Sequence, residues 1–199
     1  MTNYPLTLSF KIIALAPQVY VRDAGGQELL YVKQKLLKLR ERIQVFADSS
    51  QSRAVYEINA DRILDWNARY TFTDASGATV GGVRRHGAKS FWKASYEVFS
   101  AHGQPLYTIQ EENPWVKVLD GVLGDIPVIG GLFGYFLNPR YQVTAAGTGQ
   151  TVLRVIKHRT LFLESRFEIQ REGPGPDPGG ETPALLSILM MVLLERERG

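Results

Sequence analysis

A hairpin-sized repeat runs along most of the chain and restricts its fold more than any other feature. Similar segments begin at Val19, Gln44, Tyr70, Tyr96, Tyr141 and Phe167, at spacings of 25, 26, 26, 45 and 26 residues. Each alternates aromatic or β-branched residues with polar ones and then reaches a turn, such as Asp23 to Gly26 or Asp74 to Gly77. This pattern is typical of β-hairpins. About six hairpins predict about twelve antiparallel strands, and closure into a barrel removes their exposed edges.

The C-terminal segment differs in character from the repeats. A linker rich in Gly and Pro at 173–180 precedes the segment Ala184–Leu194, in which all residues but one are apolar. Thr182 as N-cap, followed by proline, predicts a helix over 183–198. A helix that is apolar on every side must be buried on every side. We therefore predict one mainly β domain over 1–199, an antiparallel closed barrel of about twelve strands around a central, buried, hydrophobic C-terminal helix.

Composition excludes several classes of protein and of site. The chain has no Cys, which rules out disulfides, thiolate catalysis and CxxC metal sites. A net charge of +3 is low for a nucleic-acid binder, so we expect no nucleic-acid partner. The apolar run near the start is interrupted by Lys11 and follows no positive charge, unlike a signal peptide. We expect a cytoplasmic protein.

Catalytic motifs are missing from the sequence. His86, His102 and His158 do not form a metal-binding spacing, and phosphate-loop and nucleophile-elbow motifs are absent. Glu111 and Glu112 are adjacent, so on a strand they point to opposite faces and cannot act on one bond. We predict no catalytic residues, no cofactor and no metal site.

Two basic clusters are candidate anion-binding patches. Strand alternation places Tyr31 and Lys33 on one face and Val32 on the other, so the cations line the outside of the barrel. In the second cluster Phe91 and Trp92 lie among the cations, which suits membrane contact or stacking on bases. Exposed charges on strands also serve simply for solubility and edge protection. The candidate head-group ligands are Lys33, Lys35, Lys38, Arg40, Arg42, Arg84, Arg85, Lys89 and Lys93. A third and weaker cluster is Arg154, Lys157, His158 and Arg159.

An apolar, glycine-rich insertion occupies 115–139 and accounts for the longest repeat spacing. Its acids and glycines argue against a membrane-spanning helix. It either covers one mouth of the barrel or docks on a membrane or a partner, since exposed apolar patches usually mark contact sites. In the docking case the contact residues are Leu132, Phe133, Tyr135 and Phe136.

The sequence resembles the LURP-one-related proteins, which share the Tubby-like C-terminal fold with phospholipid scramblases. The likeness covers nearly the whole chain and is carried by "LYVKQKLLKLRERIQVFAD" at 30–48, the Asp-x-x-Gly hairpins, "NPRYQV" at 138–143 and the apolar terminal helix. It implies a twelve-stranded barrel around a central helix. It also implies action at phospholipid membranes, but assigns no binding residue. Because the cysteine cluster and an acidic calcium loop are missing, calcium-activated scrambling is not expected.

These observations lead to one functional hypothesis and one alternative to it. The hypothesis is a non-enzymatic module that binds anionic phospholipid or a membrane surface and is peripheral at the inner membrane face. The alternative is a protein-interaction or homo-oligomeric scaffold that docks through 115–139. A carrier for a small ligand is disfavoured, because a helix along the axis leaves little room for the ligand.

Overall fold

The computed structural model of the chain describes residues 2–13, 16–33, 42–61, 68–86, 95–112, 139–158 and 164–196. These residues form twelve strands and one helix. They are β1 (Leu6–Ile13), β2 (Ala16–Arg22), β3 (Glu28–Lys33), β4 (Arg42–Phe46), β5 (Ala54–Ala60), β6 (Arg69–Asp74), β7 (Thr79–His86), β8 (Ser95–Ser100), β9 (Pro105–Glu111), β10 (Arg140–Ala145), β11 (Thr151–His158), β12 (Glu164–Arg171) and α1 (Pro178–Arg196).

The strands close into an antiparallel barrel in which each strand pairs with its neighbours in sequence. β1 and β12 complete the ring through pairs such as Leu8 with Phe167. Closure leaves no edge strand to template association with another chain. The predicted fold class, a barrel of twelve strands with a C-terminal helix packed inside, is confirmed.

The hairpin turns form as their sequence predicts. Asp23 Oδ1 accepts a hydrogen bond of 2.9 Å from the Gln27 amide, and Gly26 has a φ of 82°. Asp74 Oδ1 accepts one of 3.1 Å from the Ala78 amide, and Gly77 has a φ of 86°. An aspartate that accepts from the backbone and a glycine at positive φ are the two requirements of such turns.

The sixth repeat was wrongly predicted to be a hairpin. β12 (Glu164–Arg171) leads through Gly173 and Gly175 into α1, and its antiparallel partner across the closure is β1. The other five repeats form the ten strands β2 to β11. With β12, and with β1, which precedes the first repeat, the total is twelve. Local turn signals cannot show this pairing, because the two strands lie at opposite ends of the sequence.

The core lies between the helix and the inner wall of the barrel. Strand residues at alternate positions point inward, as Leu6, Leu8 and Phe10 do on β1. On α1, Leu186, Ile188, Leu189 and Met190 are fully buried, although they lie on different sides of the helix. Enclosure on all sides explains why the helix has no polar face.

The helix starts earlier than predicted. It begins at Pro178, inside the predicted linker 173–180, and the Asp177 carbonyl accepts hydrogen bonds from the amides of Gly180 and Glu181 at 2.8 and 2.9 Å. Both Asp177-Pro178 and Thr182-Pro183 fit the pattern of a cap followed by proline. The chain uses the first of them, so Pro183 lies within the helix and not at its start.

The two ends of the barrel differ in how the strands are joined. At the turn rim, tight turns connect β2 to β3, β4 to β5, β6 to β7, β8 to β9 and β10 to β11. At the opposite end, which we term the connector rim, the strands are joined through 14–15, 34–41, 62–67, 87–94, 113–138 and 159–163, all outside the described residues. Strand direction therefore decides which side chains approach each rim.

Candidate functional site

Charge is distributed unevenly between the two halves of the barrel. In the described residues, the connector half carries the cations Lys11, Lys33, Arg42, Arg69, Arg84, Arg85, Arg140, Lys157 and Arg166, and the acids Asp61, Glu97, Glu111, Glu112 and Glu164. The turn half carries Arg22, Arg53, Arg154 and Arg171, and the acids Asp23, Glu28, Asp48, Asp74, Glu168, Glu172, Asp177 and Glu181. Glu57 lies at the centre of β5 and belongs to neither half. The modest net charge of the chain thus conceals a positive end and a negative end.

The first predicted basic cluster is only partly within the described residues. Lys33 and Arg42 are exposed on the outer wall, and Tyr31 pairs with Tyr20 on that wall while Val32 pairs with Val19 in the core, as alternation predicts. Arg42 forms an ion pair with Glu57 of β5. Lys35, Lys38 and Arg40 lie outside the described residues, so their role stays a prediction.

The second cluster divides between the two faces of β7. Arg84 points outward, with Nη1 3.7 Å from Glu97 Oε2. The same carboxylate lies 3.1 Å from His86 Nε2, so an acid from β8 balances a segment that has no acid of its own. Lys89 and Lys93 lie outside the described residues.

Arg85, the other described member of this cluster, points into the barrel. It follows Val83 at the inward positions of β7, and only 6% of the residue is exposed. Its Cζ lies 5.9 Å from the ring centroid of Tyr96, the residue opposite it on β8. Its Nε has no hydrogen-bond partner among the described residues. Arg85 is therefore a buried cation of the inner wall whose Nε is unpaired within the described residues, and not a member of the outer surface.

In the third cluster Lys157 points inward and Arg154 and His158 point outward, while Arg159 lies outside the described residues. Lys157 pairs with Phe167 across β11 and β12, and its Nζ lies 5.9 Å from the centroid of that ring. Arg154 binds Glu112 at 2.7 Å and Glu172 at 3.0 Å. The hydrogen bond to Glu112 raises the pKa of Arg154.

The proposed contact residues of the insertion are Leu132, Phe133, Tyr135 and Phe136. They lie outside the described residues, so their contact with a membrane or partner stays a prediction. No helix within the described ranges has both the length and the apolar character that crossing a bilayer requires.

An exposed groove of about 320 Å³ lies on the outer wall of β4, β5 and β6. Arg42, Tyr56, Glu57 and Asp74 line it together with smaller side chains. Its two acids outweigh its one arginine, which is already paired with Glu57. The groove therefore has no preference for an anion.

The family of the chain follows from a comparison with known proteins. The model of the LURP-one-related family matches residues 28–166, from β3 into β12. The chain belongs to the LURP-one-related family. No curated protein matches it. A protein from Arabidopsis thaliana with an X-ray structure resembles this LURP-one-related chain with 14% identity and a TM-score of 0.47, over 96% of this chain and 93% of its own.

The connector half also has cations that were not recognised from the sequence of this LURP-one-related protein, among them Arg69, Arg140 and Arg166. Arg69 lies directly opposite Arg84 across β6 and β7, its Cζ 4.1 Å from the centroid of Phe99. Arg140 is exposed at the first position of β10, and Lys157, although noted in the third cluster, was not expected to point inward. Arg69 and Arg140 are isolated in sequence, and only the strand register brings them to this rim.

Proposed function

We propose that the protein is a non-enzymatic module that binds the anionic phospholipid surface of a membrane with its connector rim, at the inner membrane face. The observation that carries the proposal is the charge asymmetry of the barrel. A basic residue near an anionic leaflet contributes about 1 kcal/mol. The acidic turn rim is repelled by the same surface, so the two rims together favour one orientation.

The sequence between the strands also supports this orientation. The segments that join strands at the connector rim contain all three tryptophans of the chain, Trp66, Trp92 and Trp115. Tryptophan is enriched at membrane interfaces, where its ring suits the head-group level. The residues expected to insert, Leu132, Phe133, Tyr135 and Phe136, belong to one of these segments.

Ion pairing reduces the contribution of some rim cations. Arg42 and Arg84 each face a glutamate on a neighbouring strand. Lys33, Arg140 and Arg166 are exposed, and they have no ion pair among the described residues. These three are the best described candidates for contact with the lipid surface.

Cosedimentation with vesicles tests the proposal. Purified protein is mixed with vesicles of phosphatidylcholine alone or with phosphatidylserine, at low and at physiological salt. We expect retention on the anionic vesicles alone, weakened by salt because exposed charges are screened. Absence of retention on both would overturn the proposal. The alternative, docking of a protein through 115–139, would then be tested by pull-down with and without that segment.

A pair of charge reversals at opposite rims provides the matched control. Arg140 and Arg53 are both exposed arginines, the first at the connector rim and the second at the turn rim. Arg140→Glu is expected to weaken binding to anionic vesicles by about tenfold, since roughly 1 kcal/mol per charge is lost or reversed. Arg53→Glu makes the same change in net charge and should have little effect. Equal losses would show that net charge, and not orientation, controls binding.

A further inference from the structure

We infer that Arg85 is the receptor for a phosphate group at the inner side of the connector rim. The inference rests on the proposed function and deepens it, because it assigns the head-group contact to an inward arginine and not to the outer cations. The phosphate belongs either to a lipid head group or to a soluble phosphate ester. The two sources share their chemistry and are separated by the experiment below.

The first argument is the burial of an uncompensated charge. An arginine side chain brings its positive charge with it wherever it lies in a folded protein. Arg85 is 6% exposed, and its Nε has no hydrogen-bond partner among the described residues. A buried charge without a partner is strongly unfavourable. An anion bound beside the guanidinium removes that penalty.

The second argument is the charge of the neighbouring inward positions. Tyr70, Tyr96 and Tyr141 are inward residues near the connector ends of β6, β8 and β10, and Tyr96 lies directly opposite Arg85. Lys157 of β11 adds a second inward cation. Glu111 is an inward acid of β9, opposite Tyr141. The described inward positions near this rim therefore have two cations and one acid.

The third argument is the contrast between Arg84 and Arg85. Arg84 faces Glu97 on the outer wall, whereas Arg85 points inward and its Nε has no hydrogen-bond partner within the described residues. A guanidinium offers a planar set of donors that matches two oxygens of one phosphate. The Nε of Arg85 is still free to donate to a phosphate oxygen, whereas Arg84 already faces the carboxylate of Glu97.

The experiment measures binding to two probes. Glycerol phosphate is titrated calorimetrically, and vesicles of phosphatidylcholine with or without phosphatidic acid are used for cosedimentation. Arg85→Gln is expected to weaken binding by roughly tenfold or more, the loss typical of a charge-assisted bidentate contact. Arg84→Gln removes the same charge one residue away. It should weaken vesicle binding only as much as the loss of any single exposed cation of this rim does. Arg53→Gln at the turn rim should leave binding to both probes unchanged.

Thermal unfolding distinguishes an arginine that binds phosphate from one whose role is purely structural. If Arg85 binds the phosphate group, glycerol phosphate raises the Tm of the wild-type protein and not that of Arg85→Gln. Without the ligand, Arg85→Gln should unfold at the same or a higher temperature than the wild type. A large fall in Tm would indicate that Arg85 stabilises the barrel itself, and would overturn the inference. Arg85→Lys, which keeps the charge but loses the planar fork, should bind with intermediate affinity.

The outcomes separate this inference from the proposed function. If vesicles bind and Arg85→Gln binds them as well as the wild type does, the membrane proposal survives and the assignment to Arg85 is wrong. If glycerol phosphate binds through Arg85 but vesicles do not, the site is for a soluble ester and the membrane proposal fails. If the wild type binds neither probe and its Tm does not respond to glycerol phosphate, both are overturned.

Discussion

Gly180 of α1 lies against the hydroxyl group of Tyr107 on β9, so closely that a β-carbon added at Gly180 would be 2.0 Å from Tyr107 Oη. Burial raises the pKa of this tyrosine, in keeping with its position between helix and barrel wall. The contact lies in the first turn of the helix, near the turn rim. It fixes the point at which α1 enters the barrel.

We predict that Gly180→Ala destabilises the protein, by about 1–3 kcal/mol, the usual cost of overpacking. Gly179 provides the control, because a β-carbon there meets nothing within 4 Å. Gly179→Ala should be neutral or should stabilise by roughly 0.5–1 kcal/mol through the higher helix propensity of alanine. Urea denaturation of both variants measures the difference. Equal free energies of unfolding would show that the helix shifts without cost.

The hydrogen bond between Tyr4 and Glu181 should make stability sensitive to alkaline pH. Tyr4 Oη donates to Glu181 Oε1 at 3.1 Å, and burial, followed by the charge of Glu181, raises the pKa of Tyr4 above its ordinary 10.0. A raised pKa in the folded state means that the stabilisation is complete below pH 10 and is lost as the pH rises further.

Tyr4→Phe tests this dependence. At neutral pH the variant should be less stable by about 0.5–1.5 kcal/mol, the net value of one hydrogen bond. Between pH 9 and 11 its stability should fall less steeply than that of the wild type, in denaturant titrations at fixed pH. Glu181→Gln, which removes the charge but keeps an acceptor, should also flatten the profile. Parallel profiles for all three proteins would contradict the prediction.

Asp74 should make the turn between β6 and β7 sensitive to acid. Its Oδ1 accepts hydrogen bonds from the Ser76 hydroxyl at 2.6 Å and the Ser76 amide at 2.8 Å, and the bond to the hydroxyl lowers the pKa of Asp74. A lowered pKa in the folded state means that the stabilisation is present above the ordinary pKa of 3.8 and is lost as the pH falls through the folded value.

We therefore expect Asp74→Ala to lower the Tm at pH 7, with a difference from the wild type that shrinks below pH 4. The turn between β8 and β9 offers a control, since the Ser100 hydroxyl oxygen accepts from the Gln104 amide at 3.2 Å and does not titrate in this range. Ser100→Ala should lower the Tm by an amount that does not change with pH. Scanning calorimetry from pH 2.5 to 7 distinguishes the two.

Ser187 is a buried hydroxyl within the apolar helix, and its Oγ has no hydrogen-bond partner among the described residues. Removing an unsatisfied polar group should be neutral or should stabilise, so Ser187→Ala is expected to gain up to about 1 kcal/mol. Leu186→Ala, one residue away and also fully buried, should instead lose about 2–5 kcal/mol by leaving a cavity. A loss from Ser187→Ala comparable to that from Leu186→Ala would mean that the hydroxyl has a structural partner.

The sequence by itself determined the elements that depend on neighbouring residues. The turns of Asp23 and Asp74 need an acceptor and a glycine a few residues apart, and the alternation around Val32 needs only the two-residue period of a strand. The apolar run of α1 predicted a buried helix, because no amphipathic face was left for solvent. Each of these features depends on residues within one short segment, so the sequence of that segment is enough to predict it.

Only the tertiary structure decided how the segments meet. The pairing of β1 with β12 joins residues such as Leu8 and Phe167, and nothing local encodes it. Strand alternation predicts that Arg85 and Val83 lie on the same face of β7. Whether that face is buried depends on closure of the barrel and on the helix inside it. The concentration of cations at one rim likewise follows from strand direction and register. Charge in sequence is local, whereas the electrostatic field of a barrel is the sum over all twelve strands.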